Sequence, residues 1–183
     1  WSIGSTNTEL VGRPNPPAGR SEVLLAEFQT AGRGRRGRSW LAPPGGAVCL
    51  SLSWTFPEVP RDAGALGLAI GVCVLRALEA CDVSGVGLKW PNDVLVGEGK
   101  LGGILIELRA ETAGPACAVV GIGLNVMLGQ DLREQIAAMG LSAVDLSSVA
   151  RAPVARNVLA AHLIDACVRG LMEFEREGLR PFI

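Results

Sequence analysis

The densest chemistry in the chain lies between Gln29 and Trp40. There Gly32-Arg33-Gly34-Arg35-Arg36-Gly37-Arg38 sets four guanidinium groups among three glycines. Arginine supplies charge-assisted, often bidentate bonds to phosphate or carboxylate. Glycine lets the backbone approach a ligand and turn its N–H groups toward an anion. A solvated basic loop, or a patch that touches RNA, has the same composition, so the run alone leaves these readings open.

A second segment is Lys89-Trp90-Pro91-Asn92-Asp93, followed by Lys100. Lysine places a point charge on a phosphate, and the oxygens of Asn92 and Asp93 suit a hard cation such as Mg²⁺. Pro, Asn and Asp are also ordinary turn formers. Two smaller pieces are Ser5-Thr6-Asn7, whose short polar side chains equally serve as helix caps, and Gly121-Ile122-Gly123-Leu124-Asn125, which reads as a strand end with a bulge or a packing requirement. That last segment lacks the third glycine and the strand-to-helix context of a dinucleotide fingerprint, and no Walker-type phosphate loop occurs, so any ATP is held by another arrangement. Trp40, Trp54 and Trp90 suit a core, yet Trp40 and Trp90 adjoin the two loops and could face a ligand ring. The single histidine, His162, falls in an amphipathic helix and reads as a packing or surface residue. With no tyrosine and no Ser-His-Asp arrangement, triad hydrolysis is excluded as the leading chemistry.

The elements that must position these residues are short strands followed by long helices. The polar start, Ser2 to Val11, leads into a proline-rich loop. Val23–Thr30 and Ala47–Phe56 read as strands, the second stopped by Pro57. Asp62 is expected to cap a helix running to about Cys81, apolar on almost every face and therefore buried against a sheet. Gly85–Trp90, Asp93–Val96, Ile104–Leu108 and Ala118–Leu124 read as four more strands, with a hairpin at Gly97–Gly99. Asp131–Met139 is weakly helical. Pro153–Glu177 is strongly so, with Pro153 in its first turn and Val154, Val158, Ala161, Ile164, Val168 and Leu171 on its buried face. This order argues α+β, a mixed sheet flanked by helices.

Bulk properties narrow the function. A chain of 183 residues holds one sizeable domain. Its net charge of −1 argues against a polymer-binding surface and for a small anionic ligand at the arginine cluster. The five cysteines have no metal or redox spacing and lie among apolar neighbours, as expected of a reducing, cytoplasmic setting. The longest uncharged helical run, Ala63–Leu75, is short of the roughly 20 residues of a membrane span.

Order and spacing carry more than any one piece. Ser5-Thr6-Asn7, the Gln29–Trp40 segment, Lys89-Trp90-Pro91-Asn92-Asp93, Lys100-Leu-Gly-Gly-Ile-Leu-Ile-Glu107 and Gly121–Asn125 together resemble the bacterial biotin protein ligases, from about Ser2 to the chain end. The resemblance implies the class II synthetase-like fold of biotin and lipoate ligases. It implies ATP-dependent formation of biotinyl-5′-AMP, then transfer to a lysine of a biotin carboxyl carrier protein, with Mg²⁺ assisting. By the same resemblance Ser5, Thr6, Asn7, Gln29, Arg33, Gly34, Arg35, Lys100 and Gly103 bind biotin. Arg33, Arg36, Arg38, Trp40, Lys89, Asn92 and Asn125 hold ATP or the adenylate, Asn92 and Asp93 the metal, and Lys100, Arg35 and Lys89 act catalytically. The expected layout is a catalytic domain over residues 1–183, without the winged helix and β-barrel that members of the family carry, and able to form a homodimer. The arginine loop is expected to be mobile without ligand and ordered with it. The competing readings are a lipoate- or octanoyl-transferring relative and a nucleic-acid-binding module.

Overall fold

The two ten-residue strands β4 (Ala47–Phe56) and β8 (Ala116–Asn125) pair antiparallel along their full length, from Ala47 opposite Asn125 to Phe56 opposite Ala116. They form the middle of a six-stranded sheet. β2 (Ser21–Ala26) lies outside β4, and β7 (Gly99–Ala110), β6 (Asp93–Val96) and β5 (Val86–Lys89) follow β8 in that order. The computed structural model describes residues 1–110 and 114–183. The α+β expectation holds. Within the six strands every pairing is antiparallel; a separate parallel ladder joins β1 (Ser2–Ile3) and β3 (Phe28–Gln29), and an isolated parallel bridge joins Lys100 to Ala143.

Period-two alternation separates the two faces of the sheet. Val48, Leu50, Leu52, Trp54 and Phe56 of β4, with Ala118, Val120, Ile122 and Leu124 of β8, enter the main core. Helices α2 (Leu66–Glu79) and α5 (Arg156–Glu177) cover that face. The opposite face carries Cys49, Ser51, Gly121, Gly123, Gly103 and Glu107, and there α1 (Thr6–Gly12) packs through Leu10 against Leu24 and Val119. Two shorter helices, α3 (Gln130–Ala138) and α4 (Leu146–Val149), close the end of the sheet after β8.

Several boundaries differ from expectation, each for a local reason. Asp62 does not cap α2; it precedes a single 3₁₀ turn at Ala63–Ala65, and its carboxylate accepts the backbone N–H of Leu179 at 3.1 Å. α5 begins at Arg156, so Pro153 lies outside its first turn. Its buried stripe is Leu159, Leu163, Cys167, Gly170, Leu171 and Phe174, while Val158 and Ala161 face outward. Val23–Thr30 is not one strand, because the chain bends at Glu27 and β3 leaves β2 to pair with β1. The polar start holds helix α1, a seven-residue element without an apolar stripe, stabilised where it docks.

Candidate active site

The floor of the site is made by the face opposite the core, and it is nearly bare of side chains. Cross-strand register sets Cys49 beside Gly123 and Gly123 beside Gly103; one step along, Ser51 lies beside Gly121 and Gly121 beside Leu105. Paired residues share a face, so Gly103, Gly121 and Gly123 leave room where β4, β8 and β7 meet. That room is used by what docks on it. A Cβ at Gly121 would collide with Asn7 Oδ1, and one at Gly123 would come within 2.7 Å of the Trp40 indole.

The first wall is the start of α1. Ser5 caps the helix, its Oγ accepting the Thr8 N–H at 3.4 Å. Thr6 gives its backbone N–H (2.8 Å) and its hydroxyl (3.1 Å) to Gln29 Oε1. Ser51 Oγ reaches both Thr6 Oγ1 (2.8 Å) and Asn7 Oδ1 (3.0 Å). The Asn7 amide gives Nδ2–H to Glu107 Oε2 at 2.7 Å. Ser5, Thr6 and Asn7 are all buried, so these polar groups are held in fixed directions. Beneath Gln29, burial pushes the Cys49 thiol up to about 11, only partly offset by a hydrogen bond with Gln29. Cys49 is thus a neutral packing group at neutral pH.

The arginine loop lies over this floor as a tight hairpin. Gly34 N–H bonds Arg38 O at 2.7 Å and Trp40 N–H bonds Gly32 O at 2.8 Å, with one 3₁₀ turn at Arg35–Gly37 between them. That turn departs from the expectation of no regular structure, and it is allowed by left-handed backbone at Arg36 and Gly37. Arg33 reaches back to Glu107, Nη2 to Oε1 at 3.2 Å, and to Thr8 Oγ1 at 3.3 Å. Arg35 Nη1 donates to Asn92 Oδ1 at 3.3 Å. Arg36 and Arg38 project outward and make no side-chain bond among the described residues.

The third wall comes from the β6–β7 hairpin, whose turn at Gly97 matches expectation. Its pairing shifts register because Val94 opposes Gly102 while Leu95 opposes Lys100, leaving Leu101 as an extra residue. The bulge sends Leu101 into the core and re-aims Lys100 toward the floor, where a Cβ on Gly103 would lie 3.5 Å from Lys100 Nζ. Lys100 Nζ is bonded to Asp93 Oδ1 at 2.6 Å. Its backbone is clamped as well: its N–H goes to Ser142 O at 2.9 Å and its carbonyl takes Val144 N–H at 3.0 Å. Asn125 is buried and donates its Nδ2 hydrogens to Lys100 O (3.2 Å) and Val144 O (3.0 Å), so it braces the lysine backbone.

Most of the expected residues therefore meet in one place. Lys89 and Trp90 stand apart from the floor; both are exposed, Trp90 by 83%, at the turn that leads into Asn92. Asn92 and Asp93 supply two oxygens, each already bonded to a cationic side chain, and no cluster of three metal-binding side chains exists among the described residues. A cleft of about 540 Å³ is lined by Gln29, Gly32 and Trp40 together with Leu128 and Asp131. Trp40 Nε1 is buried there without a partner. Sequence reasoning missed Ser51 and Glu107 as site residues. The signal for Ser51 was the polar alternation of Ser51, Ser53 and Thr55 within an otherwise apolar strand.

The sequence model of the Biotin/lipoate A/B protein ligase family matches residues 2–125. Over 181 residues the chain is 36% identical to the bifunctional ligase/repressor BirA of Escherichia coli, a match covering 99% of this chain and 55% of that protein. The chain belongs to the biotin/lipoate A/B protein ligase family. Over 128 residues, 67% of this chain, this family member is 48% identical to the biotin–[acetyl-CoA-carboxylase] ligase of Mycobacterium tuberculosis, of which that match covers 46%. Among solved structures, biotin protein ligase from Aquifex aeolicus in complex with biotin and ATP aligns at a TM-score of 0.78 and 28% identity, covering 99% of this chain and 72% of that one. The chain spans about half the length of the curated relatives it matches.

Proposed function

We propose that the chain activates biotin with ATP and passes the biotinyl group to a lysine of a biotin carboxyl carrier protein. Lys100 carries this reading: the bulge sets its ammonium over the glycine floor, 2.6 Å from Asp93, with Arg33 and Arg35 tied to Glu107 and Asn92 on either side. In the first step a biotin carboxylate oxygen attacks the α-phosphorus of ATP, and the bond to the departing pyrophosphate breaks. In the second, the carrier amine attacks the acyl carbon of biotinyl-5′-AMP, AMP leaves, and the amine gives up a proton. Both steps move negative charge onto phosphate and carboxyl oxygens. Neither needs a nucleophile from the protein, so the work is positioning and fixed positive charge.

In this reading the polar wall of Ser5, Thr6, Asn7 and Gln29 orients biotin, and Arg33 and Gly34 cover it. Lys100 and Arg35 meet the carboxyl and the α-phosphate. Lys89, Arg36 and Arg38 are free to meet the outer phosphates, Trp40 offers a ring face to adenine, and Asn125 acts through the Lys100 backbone. Asn92 and Asp93 are too few to cage Mg²⁺, but they can complete the shell of an ion that arrives on ATP and withdraws charge from its phosphates. The relatives' names support biotin over lipoate or octanoate. Five free cysteines, and the absence of any described helix long and apolar enough to cross a membrane, are consistent with a cytoplasmic site of action. Pairing of two copies is a further expectation, checked by light scattering with and without ligands.

The test is incubation with labelled biotin, MgATP and a carrier domain, with pyrophosphate followed in a parallel sample lacking the carrier. The expected result is biotin-dependent pyrophosphate release and label on the carrier. Release driven by lipoate or octanoate and not by biotin would overturn the substrate, and none with any acid would overturn the activity.

A further inference from the structure

β7 grips α1 at both ends. Register places Glu107 opposite Val119 and Arg109 opposite Cys117, so both side chains stand on the site face, two residues apart. Glu107 takes the Asn7 amide at the start of the helix, at 2.7 Å. Arg109 reaches the other end. Its Nη1 donates to Val11 O at 2.6 Å and, at a longer 3.4 Å, to Arg13 O. Its Nη2 donates to Asn15 Oδ1 at 2.6 Å and to Arg13 O at 3.5 Å. Arg109 has no part in the reaction as proposed.

A guanidinium in that place supplies what α1 lacks. A helix of seven residues is marginal by itself, and its last carbonyls have no partner within it. Thr6–Gly12 contains no basic side chain, so the positive charge favoured at a helix C-terminus comes from β7 instead. Arg13, which follows the helix, turns its guanidinium to Glu9 and Glu22. Between the two ends Leu10 is the buried apolar anchor, against Leu24 and Val119, and a helix pinned at such a point can tilt about it. The helix is only about 10 Å long, so a shift at Val11 is felt at Thr6 and Asn7. That end has no slack. Asn7 Oδ1 occupies the space a Cβ on Gly121 would need, and Thr6 is bonded to both Gln29 and Ser51.

We propose that Arg109 is a positioning residue: by clamping the carbonyl end of α1 it sets where Thr6 and Asn7 stand over the glycine floor, and with them the affinity for biotin. It touches no substrate and acts through the helix. The statement about biotin rests on the reading given under Proposed function; the clamp on α1 does not. In that reading the chemical steps belong to Lys100 and Arg35, on other walls of the site. Loss of the clamp therefore weakens biotin binding and spares the rate at saturation.

The experiment compares the full chain with Arg109→Met, which keeps a long apolar stem and removes the donors. Amide hydrogen exchange across Thr6–Gly12 is followed by mass spectrometry without any ligand. Steady-state transfer of labelled biotin to a carrier domain then gives kcat and the KM values for biotin and ATP. Arg109→Met should speed exchange in α1 and raise KM for biotin, each on the order of tenfold, the loss expected when a charged donor is removed. kcat and KM for ATP should stay within about twofold of wild type, the signature of lost binding without lost chemistry. Unchanged exchange in Arg109→Met would overturn the clamp. Faster exchange with an unchanged KM for biotin, or with kcat falling as far as KM rises, would overturn the positioning role. Should Arg109→Met fail to fold, Asn15→Ala removes the acceptor that steadies the guanidinium, and the same two measurements decide, with smaller shifts in the same directions. A chain whose α1 loosens as expected but whose wild type never transfers biotin keeps the clamp and loses the biotin reading.

Discussion

Trp40 lies against Gly123 so closely that a methyl group there would come within 2.7 Å of its indole ring. The contact sets the end of the arginine loop on the sheet, because no other residue at position 123 leaves the ring its place. Gly123→Ala is therefore expected to displace the indole or the strand, at a cost of about 1–3 kcal/mol. Gly103→Ala meets the end of the Lys100 side chain and the Asn92 carbonyl, all at ordinary contact distance, and should leave stability nearly unchanged. Urea unfolding followed by tryptophan fluorescence separates the two, and equal stabilities would show that Trp40 is not seated on the floor.

Lys100→Ala and Arg35→Ala should each lower adenylate formation on the order of 100-fold while leaving the fold intact. Each side chain makes one partly exposed polar contact with the protein, to Asp93 and Asn92 respectively. Contacts of that kind contribute about 1 kcal/mol or less to stability. Pyrophosphate release and thermal unfolding measured on the same samples check both halves. Full activity in either variant would remove that residue from the site.

How much of this was legible in the sequence depends on how local each feature is. Ala47–Phe56 and Asp93–Val96 were readable to the residue, since an apolar run bounded by turn formers carries its own signal. α1 was not, because its buried Thr6 and Asn7 look like surface residues until Ser51, Gln29 and Glu107 supply their partners. The arginine loop was visible as composition, and its partners were not: Arg33 meets Glu107 from 74 residues away and Arg35 meets Asn92 from 57. The bulge that turns Lys100 to the floor leaves no mark in the residue types around it. Motif order singled out residues that are far apart in the chain. Only the register of β7 on β6 and β8 explains why they meet.

Asp145 is fully buried and binds α3, α4 and the turn after β8 into one unit. Its carboxylate accepts Leu128 N–H at 2.8 Å, Ser147 Oγ–H at 2.7 Å, Ser148 N–H at 3.1 Å and Arg133 Nη2–H at 2.7 Å. Burial alone would raise its pKa, but these bonds and the Arg133 charge outweigh burial and hold it below the ordinary carboxylate value. A group depressed in the folded state stabilises above its unfolded pKa, near 4, and that contribution is lost as pH falls through the folded value. Asp145→Asn should therefore cost about 1–3 kcal/mol at pH 7. The gap to wild type should narrow below about pH 4. A gap that stays constant into acid would mean the charge contributes nothing.

Biotin and MgATP together should raise the unfolding temperature more than either alone, because an adenylate held as proposed would contact the α1 wall, the loop and Lys100 at once. A ligand at 100 times its dissociation constant adds about 2.7 kcal/mol. In a chain of this size each kcal/mol shifts the midpoint by about 2–4 °C, so the expected rise is about 5–10 °C. Lys100→Ala should shrink the extra rise due to the pair of ligands, in step with its expected loss of adenylate formation, and should retain whatever shift ATP alone produces. Differential scanning calorimetry of the two proteins with no ligand, each ligand and both ligands makes the comparison. An unchanged midpoint with both ligands in the wild-type chain would count against biotin activation itself, whatever the variants do.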